Sequence, residues 1–216
     1  MGIKGVNVFM ALEDFDLTIG IVVDYMHCIL LGVTKTMMEL WFLPKNNKKD
    51  CFIGLQVVED IDRRLLTMVP PDFIKRPPRS IQQLKYWKAS EFRNWLLFYG
   101  IPCMQGILQD HFLYHFALLV EGIYIILGDE ITEDLLKRAK CLLLEFYKLY
   151  LDYYGSASCG LNVHNIRHLV ECVENWGPLW AWSCFGFEGM NGEMMKFVHG
   201  TKNICLQVAA YLPFHI

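Results

Sequence analysis

Apolar residues recur at three- and four-residue spacings over most of this chain, which is the period of helices that bury one face. The pattern predicts helices at about Tyr25 to Phe42, Phe52 to Thr67, Ile81 to Tyr99, Gln109 to Leu127 and Glu133 to Tyr154, and another from Asn162 to near Gly177. Asp24 is the expected cap of the first, which stops before Pro44, and Thr132 and Gly155 are the expected start and stop of the fifth. In the third, Leu84, Trp87, Phe92, Trp95, Leu96 and Tyr99 make one apolar stripe; in the fifth, Leu135, Leu136, Ala139, Leu142, Leu143 and Phe146 do so. One run breaks the pattern. Ile19 to Val23 is short, apolar and β-branched, and predicts a buried strand that delivers Asp24 at its end. Pro70-Pro71 and Pro77-Pro78 mark a loop between helical regions, and no repeat or flexible linker interrupts the rest. Three glycines in Gly186 to Glu193 predict a terminal helix that is frayed or begins late.

Composition sets bounds on this picture. The chain has 216 residues, 54% of them hydrophobic, which is ample for a core. Asp24, His27 and Glu121 interrupt the two greasiest stretches, Ile19 to Val33 and Phe116 to Leu127, so no membrane span is expected. The eight cysteines include no Cys-x-x-Cys pair, and Met1-Gly2-Ile3-Lys4 opens no secretory leader. The expectation is therefore a reducing intracellular compartment and free thiols. A net charge of −3 argues against holding nucleic acid by bulk electrostatics. Locally the balance reverses: Arg63 to Arg93 carries eight basic residues against two acids, with Tyr86, Trp87 and Trp95 interleaved. Lys75, Arg76, Arg79, Lys85, Lys88 and Arg93 are the candidate phosphate contacts, with the aromatics as stacking partners for bases. The plainer reading is a solvated helix face whose aromatics fill the core.

The helix from Asn162 carries the candidate metal chemistry. At about 100° per residue, Val163, Ile166, Leu169, Val170, Val173 and Trp176 share one face, while His164 and His168 project from nearly the opposite one. Side chains four apart lie one above the other, and neutral imidazole is a good zinc ligand, so one ion could bridge the pair. The bland alternative is a surface pair. Cys159 and Cys172 flank the pair and could complete a zinc site locally, although three ligands from one helix fit awkwardly.

Read in order, Asp24-x-x-His27, His164-x-x-x-His168 and Glu188 resemble the catalytic region of CACTA-type (En/Spm) DDE transposases, most closely the transposase-domain proteins of animals. The resemblance covers nearly the whole chain. It rests on Val23 to Val33, Lys75-Arg76 to Arg93, Asn162 to Trp182, and Phe187-Glu188 through Asn203. It implies a mainly α fold: a partial ribonuclease H-like core with few short strands and a large all-helical insertion. The implied domains are 1–50 with the second catalytic aspartate, 51–160 as the insertion, and 161–216 with the histidine pair and the catalytic glutamate. Asp24 and Glu188 would be the catalytic carboxylates, holding Mg²⁺ or Mn²⁺ for in-line phosphoryl transfer on DNA. Glu193 is the reserve for Glu188. His164 and His168 would share a Zn²⁺ with a cysteine pair. DNA as partner, a nuclear location and a homo-oligomer follow from the same resemblance.

The family's first aspartate and its Cys-x-x-Cys precede the position of Asp24 and are not matched here. Glu13-Asp14-Phe15-Asp16 reads as a polar turn rather than a replacement. The expectation is therefore a transposase-derived fragment or remnant without activity alone. A domesticated, non-catalytic module that binds DNA or protein is the main alternative. A helical metallohydrolase using Asp24, His27, His164 and His168 ranks last, because the chain lacks the Glu-x-x-His and His-Glu-x-x-His motifs of such enzymes.

Overall fold

The computed structural model describes residues 8–15 and 20–211. They form helices and connecting turns, and among them no strand occurs. This corrects the expected ribonuclease H-like core with its short strands. The run read as a strand loses Ile19, which lies outside the described residues, while Gly20 to Asp24 is irregular backbone. The physical reason is pairing: a β-branched apolar run becomes a strand only beside another strand, and no partner is present among the described residues. Ile21 is half-exposed, with 51% of its surface accessible, rather than central.

The chain divides into a unit from Met1 to Trp182 and a smaller one from Ser183 to Ile216. The first unit opens with a 3₁₀ turn, Val8–Ala11, and the polar turn at Glu13-Asp14. Its first long element is continuous through Phe42, but Met26–Thr34 is wound as a π-helix before α1, Lys35–Phe42, takes over. Met26, Cys28, Ile29, Leu30, Val33, Met37, Met38 and Trp41 are all buried, so the sequence is apolar around most of the helix because it runs through the core. α2 is Leu55–Thr67; a 3₁₀ segment, Ile81–Tyr86, follows the proline loop. α3, Ala89–Asn94, runs through a second π segment, Trp95–Tyr99, into α4, Gly100–Met104. All six residues of the expected Leu84 to Tyr99 stripe are buried.

α5, Asp110–Ile126, and α6, Glu133–Tyr154, pack as an antiparallel hairpin. Its register is marked by Tyr114 against Glu145, His115 against Phe146 and Glu121 against Arg138. α6 has the predicted bounds: the Thr132 hydroxyl accepts the Leu135 N–H, and Gly155, with φ of +79°, takes a backbone conformation that other residues resist. α7, Leu161–Asn165, a 3₁₀ turn, Ile166–His168, and α8, Leu169–Trp176, complete the unit, with Gly160 rather than Asn162 at the cap position. Val163, Ile166, Leu169, Val170 and Val173 are buried as their spacing predicts; Trp176, at the helix end, is half-exposed.

The second unit holds α9, Phe185–Met195, and α10, Ile204–Tyr211. α9 starts at Phe185, ahead of its three glycines, and runs through them, so it does not begin late as expected; none of its residues is buried, and Phe187, Met190 and Met195 stand largely in solvent. Among the described residues no helix is long and apolar enough to cross a membrane, and no cysteine is in a disulfide.

Candidate functional site

The Asp24 motif folds as a helix start. The Asp24 carboxylate accepts the His27 backbone N–H at 2.8 Å through Oδ2, the bond by which a side chain satisfies an orphan donor of the first turn. The same Oδ2 lies 2.6 Å from His27 Nδ1. Spacing of three along the helix brings carboxylate and imidazole together, and the contact orients the ring so that Nε2 faces away from Asp24. The neighbouring Tyr25 is buried; its phenol is held well above its usual range by desolvation, opposed by the positive charge of Arg93.

This turn meets the histidine helix. The Cys28 thiol donates to the Asn162 carbonyl at 3.3 Å. At Gly32 the approach is closer still, since a Cβ there would stand 2.4 Å from Asn162 Nδ2 and 2.9 Å from the His27 carbonyl oxygen. Between the two segments lies a cavity of about 550 Å³, walled on one side by Val23, Asp24, His27 and Cys28 and on the other by residues of the helix from Leu161 to Asn175. Those include His168, Glu171 and Cys172. Glu171 Oε2 faces His168 Nδ1 at 3.6 Å. Burial pushes the Cys28 thiol up to about 12, with smaller upward contributions from the Asp24 carboxylate and from Cys172.

The expected residues therefore divide. Asp24 and His168 share the cavity wall; His164 is not among the lining residues. The 3₁₀ turn at Ile166–His168 lies between them, yet the two rings stay neighbours, with centres 5.5 Å apart. Glu188 is an exposed residue of α9 in the second unit, and Glu193 there is paired with Lys196 at 2.6 Å. Lys75, Arg76, Lys85 and Lys88 are exposed, as phosphate contacts must be. Arg79 is committed instead to structure: its Nε lies 2.9 Å from the buried Glu91 carboxylate and its Nη1 donates to the Tyr86 carbonyl. Arg93 is half-buried beside Tyr25. Trp87 and Trp95 are core residues, so of the three interleaved aromatics Tyr86, 61% exposed, is the one at the surface.

Two implied metals can be tested against these donors. Mg²⁺ and Mn²⁺ favour oxygen ligands, and a catalytic pair needs several carboxylates. The cavity of the first unit offers two, Asp24 and Glu171, among imidazoles and thiols, a mixed set that suits zinc better. For zinc on the histidine pair, ring centres 5.5 Å apart are close enough to share an ion. The surroundings of His164 do not favour one, since its ring sits near Tyr147, over which the Arg167 guanidinium lies 5.2 Å from the ring centre. Cys159, the other thiol expected near the pair, is not in the cavity wall, whereas Cys28 is. Cys28 went unnoticed in the sequence because it lies over 130 residues from the histidines and belongs to no spaced thiol pair. Comparison with protein-family models, curated proteins and solved structures returned no match.

Proposed function

We propose that this chain is a transposase-derived module that binds DNA and does not cut it alone. One observation carries the reading. Two of the sequence blocks on which the transposase resemblance rests, Val23 to Val33 and Asn162 to Trp182, meet in space at Cys28, Gly32 and Asn162 and enclose one cavity. An accidental likeness spread over distant segments would give them no reason to converge. Asp24, positioned by His27, is the residue through which the ancestral chemistry would have passed.

Absence of cutting follows from the donors. In-line attack on a phosphodiester uses two cations, one to activate the incoming oxygen and one to stabilise the outgoing oxygen. Two carboxylates, one of them facing His168, serve at most a single ion in this cavity. The exposed Lys75, Arg76, Lys85 and Lys88 support the binding part of the proposal.

Purified chain incubated with supercoiled plasmid and Mg²⁺ or Mn²⁺ is expected to leave the plasmid intact, while fluorescence anisotropy with labelled DNA shows salt-dependent binding. Nicking that disappears in Asp24→Ala would refute the first half; DNA affinity unchanged in a Lys75/Arg76/Lys85/Lys88 quadruple alanine variant would refute the second.

A further inference from the structure

We infer that the chain takes unpaired DNA in preference to duplex, with one base stacked on Tyr86 and a neighbouring base seated in a cavity whose mouth carries Glu59, Gln82 and Lys85. The inference deepens the DNA-binding reading and rests on it. The juxtaposition comes from the 3₁₀ segment Ile81–Tyr86. Three residues per turn put Ile81 and Leu84 on one side, where both are buried, and Gln82 with Lys85 on another, where both are exposed. All four line a cavity of about 430 Å³ together with the buried Phe42 and Val58 and the exposed Glu59. That volume falls within the range of roughly 300–1,000 Å³ that small-ligand sites occupy. Lys85 joins the cavity to Tyr86, because its ammonium also lies 4.6 Å from the centre of the Tyr86 ring.

The platform is braced before any base arrives. At one end the Asp62 carboxylate accepts the Ser80 hydroxyl and the Ile81 N–H; the Trp87 indole donates back to the Ser80 carbonyl, and Arg79 Nη1 donates to the Tyr86 carbonyl at the other end. A surface fixed in advance loses little freedom on binding. Duplex DNA hides its base faces in its own stack, whereas a single strand offers them to an exposed aromatic ring, and its phosphates meet the exposed Lys75, Arg76, Lys85 and Lys88. In the cavity, apolar side chains meet the base ring and polar ones its edge. Gln82 both donates and accepts there, while the Glu59 carboxylate only accepts. An acceptor favours a base with an exocyclic amine, so cytosine is taken over thymine.

The test uses the whole chain and fluorescence anisotropy at neutral pH and one salt concentration, with labelled oligo-dC, oligo-dT and a duplex of equal length. Both single strands should bind more tightly than the duplex, and oligo-dC more tightly than oligo-dT. Tyr86→Ala should weaken single-strand binding by about fivefold to a hundredfold, the scale of one base stacked on an aromatic ring, and leave duplex binding nearly unchanged; Tyr86→Phe should keep the wild-type affinities. Glu59→Ala should bring the dC-to-dT affinity ratio toward one. The ratio is the readout, because removing a negative charge strengthens binding to both strands. Equal affinity for single strand and duplex, or single-strand binding indifferent to Tyr86→Ala, would overturn the inference while leaving the DNA-binding reading intact. A dC-to-dT ratio that Glu59→Ala does not change would overturn the seating of a base in the cavity. Failure to bind any of the three DNAs would overturn the inference and the reading together.

Discussion

Asp24 illustrates how one side chain serves structure and chemistry together. Its Oδ2 caps the first turn and orients His27, so Asp24→Ala should cost about 1 kcal/mol of stability by urea denaturation, with Asp24→Asn losing less because an amide oxygen still accepts the N–H. His115 is the second residue with a sharp consequence. It is fully buried between α5 and α6, its Nε2 is 2.9 Å from the Phe146 carbonyl, and its ring stacks on Phe146 with Tyr150, Tyr153 and Tyr154 around it. Desolvation lowers it to about 4. Since the unfolded chain takes up the proton near the ordinary value of 6.5 and the folded chain resists until about 4, stability is unaffected above that range and falls as pH drops through it. The loss should reach about 2 kcal/mol at pH 5, and chemical denaturation of His115→Gln should lack it.

Among the elements, the π-helix at Met26–Thr34 matters most, because it sets the face that Cys28 and Gly32 turn to α7. A methyl group at Gly32 would collide with the Asn162 amide and with the His27 carbonyl one π turn back. Gly32→Ala is therefore expected to destabilise by roughly 1–3 kcal/mol, and adding Asn162→Ala should restore only the part owed to the amide. Arg79 carries a comparable load at the proline loop. Its removal leaves the buried Glu91 carboxylate with the Lys88 N–H but without its counter-charge, so Arg79→Ala should lower stability by about 1–3 kcal/mol without the selective loss of DNA affinity expected of Lys85→Ala.

What the sequence made legible at this scale follows from range. α6 was readable to the residue because its cap, stripe and glycine stop are all local. The supposed strand before Asp24 was not, because a strand depends on a partner that its own residues do not specify. The histidine helix was half-readable: its buried face follows the helical period, but nothing in the spacing tells that His168 lines the cavity while His164 does not. Cys28 shows the same limit in the site itself, since only the packing of distant helices makes it a neighbour of Cys172.

At the level of the whole molecule, a helical unit ending at Trp182 supplies the cavity and the exposed cations, and a small unit with a fully unburied helix carries Glu188. DNA affinity should fall steeply with salt, with each lost lysine contact lowering the logarithmic slope by just under about one; anisotropy titrations between low and physiological salt would measure it. The most direct test of the account is fluorescence anisotropy of the whole chain on labelled DNA, with the Lys75/Arg76/Lys85/Lys88 quadruple alanine variant measured beside it. The account predicts salt-dependent binding by the unmodified chain that the variant loses. Equal affinity of the two proteins, or no binding at low salt, would contradict it.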